Sequence, residues 1–453
     1  QALRLIPGNA SDQRGCMISA DVAVLGCGWA GVLAALELKS RAPSLSVVCV
    51  DAGRKPGGLL RSEELCGHVF DIGGSHVIFS KSAETLSEIL SLLEGNYVRH
   101  ERRSYVLYKG VKVPYPFENG LHALPPGDRA EMLVSFVEAL VERAASAREP
   151  ASLQEWIRMF FGRAIAEAYL EPYNRKIWKH DPSEIDIDWV YTPGRLPFPD
   201  WRDVVRSGAG IETRGYLEQA RFYYPAKGGI QALYDAARRR AEALGVAFLW
   251  GEKVSELRRD SGKWLVNRAV EARRVFSTIP LRELVAALKA PEDVIRAAEK
   301  LRYNRVAVVG LALRKPAPPE HWVYVPQGDV VFHRYAWISN YSEWNAPRGS
   351  STLQAEITLR PEDKVEEAEI FERTLEGLEK LGAAGSEDVK TAGVWVHEYG
   401  YPVYLKGHRS AREEVARFLG EAGVVSVGRW GSWHYWNMDR VYVEVKSAVS
   451  KIV

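Results

Sequence analysis

Residues 21–53 constrain the fold of this chain more than any other segment, because they read in order as strand, glycine-rich turn, helix, strand and acid. In "DVAVLGCGWAGVLAALELKSRAPSLSVVCVDAG", Gly26 permits a tight turn, Gly28 lets the backbone approach a pyrophosphate, and Gly31 lets the helix pack closely on the strand. The helix N-terminus favours phosphate groups. Asp51 ends the second strand, where a carboxylate can accept hydrogen bonds from a ribose. The segment therefore predicts a dinucleotide-binding βαβ unit.

The residues that follow indicate which dinucleotide is bound. Gly57 and Gly58 come directly after the second strand, and another glycine pair, Gly73 and Gly74, follows a short strand pair. This start resembles the FAD-binding domain of the glutathione-reductase and amine-oxidase group of flavoproteins, and "VVSVGRWG" resembles the last strand of that domain. The resemblance implies FAD as the cofactor, bound by Gly26, Gly28, Trp29, Ala30, Gly31, Asp51, Gly57, Gly58, Leu59, Val254, Gly428, Arg429, Asn437 and Met438.

The hydrophobic pattern changes between these pieces from helical spacing to the alternation typical of strands. We therefore expect an α/β fold in which a Rossmann-like FAD-binding domain of the glutathione-reductase type carries a mainly helical insertion and an inserted antiparallel β-sheet domain for the substrate. Because Met17 stands only four residues before the first clear strand, we expect the residues before it to be an N-terminal extension. The expected ranges are 1–16 for the extension, 17–80, 222–295 and 416–453 for the FAD-binding domain, 81–205 for the helical insertion, and 206–221 and 296–415 for the sheet domain.

Composition argues against several classes of function. Lys and Arg total 60 against 58 acids in 453 residues, and the net charge of +2 provides no general attraction for nucleic acid or a membrane surface. No apolar run approaches the roughly 18 residues of a membrane span. The ten histidines show no metal-binding spacing, so no metal is expected. Four cysteines without metal spacing, Cys16, Cys27, Cys49 and Cys66, predict buried free thiols in a reducing cytoplasm. We expect a cytoplasmic protein whose composition is compatible with a homo-oligomer.

Further motifs carry a more specific resemblance. They are "DIGGSHVIFS", "YKGVKVPYPFENGLHALP", "PYNRKIW", "HWVYVP", "FHRYAWISNYSEWNAP", "YGYP" and "GRWGSWHYWNMD", which occur in this order. Together they resemble UDP-galactopyranose mutase, more closely its eukaryotic type than its bacterial type. The resemblance implies an isomerase of cell-wall or glycan biosynthesis that interconverts the pyranose and furanose rings of a UDP-linked hexose. Reduced FAD would act through N5 as a nucleophile on the anomeric carbon with no net redox change, and an external reductant such as NAD(P)H is one source of its electrons.

The resemblance also implies roles for single residues. Arg334 matches an arginine that holds the diphosphate, and the guanidinium fork suits that role because it forms bidentate, charge-assisted hydrogen bonds. His76 matches a histidine in a loop beside the flavin, and Asn437 matches a polar residue near the sugar and flavin. The tyrosines that match family hydroxyls around the phosphates are Tyr324, Tyr341, Tyr401 and Tyr435. These residues form the expected catalytic set.

The expected substrate site extends from the uracil to the sugar. Tyr115 and Phe117 match aromatic residues that flank the uracil, and Trp322 is expected beside the sugar. The other substrate-binding residues implied are Glu118, Asn119, Trp156, Tyr173, Asn174, Arg175, Arg334, Tyr341, Tyr401 and Tyr435.

Several positions depart from the family pattern. Glu171 stands where the eukaryotic type has a second diphosphate arginine, and a carboxylate there would repel the ligand. Arg175 follows one helical turn later and is expected to supply the missing charge. Glu118 replaces a glutamine on the uracil side, and Ser75 is an extra residue in the loop of His76. These changes leave the identity of the nucleotide and the sugar open.

Two other classes of function fit the same cofactor domain. An FAD-dependent oxidoreductase of the amine oxidase or protoporphyrinogen oxidase type shares the "KGGIQAL" segment. Many amine oxidases carry a lysine at the start of the strand over the flavin, where this chain has Asn304 and Arg305, which argues against amine oxidation. A non-catalytic flavoprotein that binds nucleotide sugars is the other alternative.

Overall fold

The computed structural model describes residues 4–6, 17–146, 148–192, 198–213 and 220–453. Its strands are, in chain order, β1 (Arg4–Ile6), β2 (Met17–Leu25), β3 (Val47–Asp51), β4 (Ser62–Leu65), β5 (His68–Asp71), β6 (Val98–Glu101), β7 (Ser104–Tyr108), β8 (Val111–Pro114), β9 (Arg221–Tyr224), β10 (Ala247–Trp250), β11 (Leu257–Asp260), β12 (Lys263–Val266), β13 (Val270–Ser277), β14 (Arg302–Leu313), β15 (Trp322–Tyr324), β16 (Arg334–Trp337), β17 (Ser351–Leu359), β18 (Val389–Val403) and β19 (Val424–Ser426).

The helices of the same residues are α1 (Trp29–Arg41), α2 (Ala83–Leu92), α3 (Pro126–Ala145), α4 (Leu153–Ile165), α5 (Glu171–Trp178), α6 (Trp201–Gly208), α7 (Gln231–Ala243), α8 (Leu281–Ala287), α9 (Glu292–Lys300), α10 (Glu367–Lys380), α11 (His408–Ala422), α12 (Gly428–Gly431) and α13 (Met438–Val449). None of the helices described here is both long and apolar enough to cross a lipid bilayer.

The first sheet contains the predicted βαβ unit. Its strands lie in the order β10, β3, β2, β13, β12 and β11, with β1 paired to β2 and β19 paired to β13. The strands β10, β3, β2, β13 and β19 run parallel, so their carboxyl ends lie at one edge. Helix α1 packs its apolar residues, including Val32, Leu33 and Leu38, in the core on one face of this sheet. The expected strand, glycine turn, helix and strand are confirmed, as is the α/β fold class.

The second sheet meets the first at the carboxyl ends of β2 and β3, where Tyr399 of β18 lines the same cavity as Gly26 and Asp51. Its strands lie in the order β18, β14, β17, β16, β15, β7 and β8. All pairs are antiparallel except β15 with β7, which run parallel. Strands β7 and β8 lie in the range that was expected to be mainly helical. They form a hairpin there because "YVLYKGVKVPY" alternates apolar and polar residues on both sides of Gly110. The other strand and α-helices of that range are β6, α2 to α5 and most of α6.

The structure adjusts two expectations near the N-terminus. Residues 1–16 were expected to form an extension, and of these Arg4–Ile6 form β1, which pairs antiparallel with Met17, Ile18 and Ser19 of β2. Their other residues lie outside the described part of the chain. Cys27 and Cys49 are buried as expected, whereas Cys66 is exposed because it sits in the turn between β4 and β5. The expectation of a buried thiol at Cys66 is therefore wrong, and Cys16 lies outside the described residues.

Candidate active site

A cavity of about 600 Å³ opens at the carboxyl ends of β2 and β3. It brings together residues from the start, the middle and the end of the chain. The expected cofactor residues that line it are Gly26, Gly28, Trp29, Ala30, Asp51, Gly58, Leu59, Val254, Arg429 and Met438.

The turn between β2 and α1 leaves room for a phosphate group. Gly26 has φ +85°, and a Cβ on Gly31 would lie 1.8 Å from the Gly26 carbonyl oxygen, so both positions require glycine. A Cβ on Gly28, in contrast, would meet no atom within 4 Å. This open space lies at the N-terminus of α1, where the first backbone N–H groups of a helix lack intrahelical partners. The turn therefore fits a dinucleotide pyrophosphate.

Other expected cofactor residues support this turn. The Asp51 carboxylate accepts hydrogen bonds from the N–H groups of Cys27 (2.6 Å) and Gly53 (2.7 Å), which hold it at the cavity wall. Gly57 and Gly428 do not line the cavity. Their φ angles of +122° and +97° turn the backbone beside it, in a region where residues with a Cβ are strained.

A second cavity, of about 230 Å³, adjoins the first, and Leu59, His76, Arg429 and Met438 line both. This second cavity lies against the seven-stranded sheet. The expected catalytic and substrate residues that line it are His76, Tyr115, Trp322, Tyr324, Arg334, Tyr401, Tyr435 and Asn437.

An ion pair between Arg334 and Glu356 forms one wall of the second cavity. Strands β16 and β17 place the two residues directly opposite each other, and Arg334 Nη2 lies 2.6 Å from Oε1 and 2.8 Å from Oε2 of Glu356. Ser75 donates to Oε1 from its N–H (2.9 Å) and its hydroxyl (3.0 Å), and the Tyr401 hydroxyl donates to Oε2 at 3.2 Å. Glu356 is therefore held by donors from three segments of the chain.

The electrostatics of this pair follow from burial and proximity. Burial alone would raise the pKa of the Glu356 carboxyl, but the Arg334 charge and the hydrogen bonds lower that pKa to about 2. Glu356 is thus ionised at neutral pH. The motifs did not indicate Glu356. Its only signal is an acid within "TLQAEITL", a strand whose other side chains suit burial.

His76 stands at the boundary of the two cavities. Its Nδ1 lies 3.0 Å from the carbonyl oxygen of Gly74, which can only accept, so Nδ1 carries the hydrogen and Nε2 is an acceptor. Burial, and then the Arg429 charge, lower the pKa of the imidazole to about 4. Gly74 has φ +108°, which lets the loop approach Glu356. His76 is therefore a neutral hydrogen-bonding group at neutral pH.

Arg102 lines the same cavity and was also missed by the motifs. Its guanidinium carbon lies 4.1 Å from the centre of the Tyr115 ring and 4.8 Å from that of Trp322. Its Nε donates to Ser104 (2.7 Å) and its Nη2 to the Tyr324 hydroxyl (3.3 Å). "ERRSYVLY" offers no signal beyond a basic pair before a strand, because the partners come from distant segments.

Only one of the residues expected around the uracil lines the second cavity. Tyr115 lines it, whereas Phe117, Glu118 and Asn119 form a buried turn behind it. The Phe117 ring packs 5.5 Å from that of Tyr169 in the helical core, and the Asn119 amide donates to Thr213 at 3.3 Å. The structure therefore does not bring these three residues to the cavity surface.

The residues expected on α4 and α5 also lie away from the cavity. Trp156 is fully buried and stacks on Phe160 at 4.9 Å, so it is a core residue. Asn174 binds within its own helix, donating to the Leu170 carbonyl (2.7 Å) and accepting from Trp178 (2.9 Å). Both were expected to bind substrate, and neither lines the second cavity.

Glu171 and Arg175 also do not line the second cavity. Arg175 is exposed and pairs with Asp181 at 3.0 Å, so it does not supply charge to the cavity. Glu171 is buried and accepts hydrogen bonds from Arg158 at 2.5 and 3.2 Å. Its charge is compensated outside the cavity and would not repel a ligand there.

Tyr173 and Tyr341 pack directly behind the cavity wall. The Tyr173 ring lies 5.5 Å from that of Tyr324, and the Tyr341 ring lies 5.5 Å from Phe222 and 6.2 Å from Trp322, both of which line the cavity. These tyrosines support the wall rather than form its surface.

Most of this chain is similar to a known family of flavin enzymes. The profile of the flavin containing amine oxidoreductase family matches residues 29–444. Human protoporphyrinogen oxidase (Homo sapiens) is 25% identical over 459 residues, covering 88% of this chain and 91% of that protein. Chloroplastic/mitochondrial protoporphyrinogen oxidase 2 of Arabidopsis thaliana is 26% identical over 224 residues, covering 46% of this chain but only 40% of the relative. This chain thus matches less than half the length of the Arabidopsis relative.

A crystal structure supplies a match to the whole fold. Reduced UDP-galactopyranose mutase superposes with a TM-score of 0.87 and 25% sequence identity, over 96% of this chain and 93% of that chain. The sequence relatives and this structural neighbour therefore carry different activities in their names.

Proposed function

Because this chain belongs to the flavin-containing amine oxidoreductase family, we propose that it binds FAD and rearranges a nucleotide sugar in the manner of UDP-galactopyranose mutase. The first cavity would hold FAD, with the pyrophosphate at the Gly28 turn and Asp51 at the cavity wall. The second cavity would hold the sugar and the diphosphate of the substrate, beside the residues that both cavities share.

The observation that carries this proposal is the polar wall around Arg334. Arg334 lines this cavity, and Glu356 holds its Nη2 at 2.6 and 2.8 Å. A guanidinium has five N–H donors, so one that is paired with a carboxylate can still donate to a ligand. Tyr324, Tyr401 and Tyr435 line the same cavity, and the Tyr401 hydroxyl already donates to Glu356. A cation beside the hydroxyls of Tyr324 and Tyr435 suits the oxygens of a diphosphate.

The chemistry would divide between the cofactor and the chain. When bound, reduced FAD supplies a nucleophilic N5 for the anomeric carbon of the sugar. Arg334, Tyr324 and Tyr435 would bind the diphosphate and stabilise its charge as it leaves. The neutral His76 would accept a hydrogen bond at Nε2 beside both cavities. Burial of these groups would keep water away from the reacting carbon.

An oxidoreductase is the second candidate, and one specific observation favours it. The sequence match to human protoporphyrinogen oxidase extends over 88% of this chain. A redox enzyme would use the same FAD cavity but would pass electrons to an acceptor during each turnover. Among the described residues, four arginines line the second cavity and argue for an anionic ligand in either case: Arg102, Arg221, Arg334 and Arg429.

The test compares the two oxidation states of the flavin. The purified holoprotein is incubated with UDP-galactopyranose, once after anaerobic reduction and once oxidised, and proton NMR detects the furanose. Product in the reduced sample alone is the expected result. No product in either sample, together with rapid reoxidation of the reduced flavin by oxygen or a quinone, would overturn the mutase proposal in favour of the oxidoreductase.

A further inference from the structure

We propose that Arg102 provides the second positive charge for the diphosphate, replacing the arginine that a eukaryotic-type mutase would carry at Glu171. This inference rests on the proposed function above. The proposed diphosphate site lacks a second positive charge from α5, because Glu171 and Arg175 both lie away from the cavity.

Position separates Arg102 from the other arginines that line the cavity. Arg334 is the first cation of the proposed site, held by Glu356 at 2.6 Å. Arg221 lies at the rim, where its side chain is 62% exposed and pairs with Glu101 at 2.9 Å. Water screens a charge in that position.

Arg429 serves a different part of the site. It donates to the Trp436 carbonyl oxygen at 2.9 and 3.1 Å and lines the first cavity as well as the second. Its charge therefore lies at the boundary with the cofactor. Arg102 lines the second cavity but not the first.

The contacts of Arg102 hold its guanidinium before a ligand arrives. Two aromatic rings, Tyr115 at 4.1 Å and Trp322 at 4.8 Å, pack against it, and Ser104 accepts from Nε at 2.7 Å. An arginine fixed in this way loses less conformational freedom when it binds an anion. Tyr115 is the aromatic residue expected beside the uracil, so Arg102 lies next to the base end of the diphosphate.

Tyr324 connects Arg102 to the other cation. The Tyr324 hydroxyl oxygen accepts from Arg102 at 3.3 Å, which leaves the hydroxyl hydrogen to donate to a ligand. Tyr324 also pairs with Arg334 in the register of β15 and β16. The two arginines therefore flank one phenol, an arrangement that suits two adjacent phosphates.

The test uses the holoprotein and measures binding of UDP and of uridine by calorimetry. Arg102→Met keeps a side chain of similar length against the Tyr115 ring but removes the charge. We expect UDP to bind at least about tenfold more weakly and uridine to change by no more than about twofold. Arg99→Met, on the exposed face of the neighbouring β6, is the matched control and should leave both affinities unchanged.

Each other outcome is decisive. Unchanged UDP affinity in Arg102→Met overturns the proposal, and so does an equal loss for UDP and uridine, which would make Arg102 a support for the base. If Arg102→Met does not fold, Arg102→Lys is measured instead. It keeps the positive charge but loses the planar guanidinium that contacts Ser104 and Tyr324. About threefold weaker UDP binding with uridine unchanged is then expected, and no change overturns the proposal. A wild-type protein that does not bind UDP would overturn the proposed function itself.

Discussion

Glu356 accepts two hydrogen bonds from a single nitrogen of Arg334, Nη2, at 2.6 and 2.8 Å across neighbouring strands. This contact holds the guanidinium in place where Arg334 lines the second cavity. A buried pair of this kind contributes little net stability but is costly to break, because the remaining charge stays buried without its partner.

Glu356→Gln should therefore destabilise the fold. The amide cannot compensate the Arg334 charge, and we expect the free energy of unfolding to fall by about 3 kcal/mol in urea titrations. Glu398→Gln is the matched control, because Glu398 also pairs with an arginine, Arg305, at 3.1 Å, but its side chain is 51% exposed. Its effect should stay below about 1 kcal/mol. Equal effects of the two variants would contradict the role given to Glu356.

Arg334→Ala should weaken UDP binding by more than about tenfold while FAD remains bound, because the substitution removes charge-assisted hydrogen bonds in a buried cavity. Calorimetry gives the affinity for UDP, and flavin absorbance gives the cofactor content. Arg305→Ala, in the same sheet but outside both cavities, serves as the comparison. An unchanged UDP affinity in Arg334→Ala would exclude a diphosphate at this position.

Glu171→Gln and Arg175→Ala should each leave UDP affinity within about twofold of the wild type, since their partners are Arg158 and Asp181. Glu171→Gln should still lower the free energy of unfolding by about 1 kcal/mol, because Arg158 is half exposed and water screens the pair. The measurements are UDP titration and urea unfolding. A fivefold change in UDP affinity in either variant would return these residues to the substrate site.

Two neighbouring glycines should behave differently when replaced by alanine. Gly28→Ala places a methyl group in open space at the start of α1, so the protein should fold but bind FAD at least about tenfold more weakly. Gly31→Ala places its methyl group 1.8 Å from the Gly26 carbonyl oxygen and should prevent correct folding. Circular dichroism and flavin content separate the two effects. Full FAD content in Gly28→Ala would show that the phosphates lie elsewhere.

His76 should stay neutral throughout the physiological range. Its folded pKa of about 4 lies below the usual value of 6.5, so the stability that it contributes is present above pH 6.5 and is lost as the pH falls through 4. NMR titration of histidine-labelled protein, with His76→Gln to assign the signal, measures this pKa. A midpoint near 6.5 would mean that the imidazole can carry a proton at neutral pH.

The cofactor turn was predictable because its constraints are local. The spacing of Gly26, Gly28 and Gly31 and the acid at Asp51 belong to one continuous segment, and the structure brings Gly26, Gly28 and Asp51 to the first cavity. Arg334 was located through its resemblance to a family motif, and it lines the second cavity.

The partners of these residues were not predictable in the same way. Glu356 meets Arg334 only through the register of two strands, and Arg102 meets Tyr324 across 222 positions of the chain. The helical spacing from Glu171 to Arg175 indicated a shared face. It did not indicate which way that face turns, and the packing of α5 directs it toward Arg158 and Asp181.

The wall between the two cavities is shared by Leu59 and His76 from the beginning of the chain and Arg429 and Met438 from its end. During synthesis, the ribosome therefore releases the first half of this wall several hundred residues before the second half. The parallel pairing of β19 with β13 and the packing of α13 near α1 also wait for the last segment. A nascent chain can form the glycine turn early, but the wall between the two cavities is complete only after Arg429 and Met438 have left the ribosome.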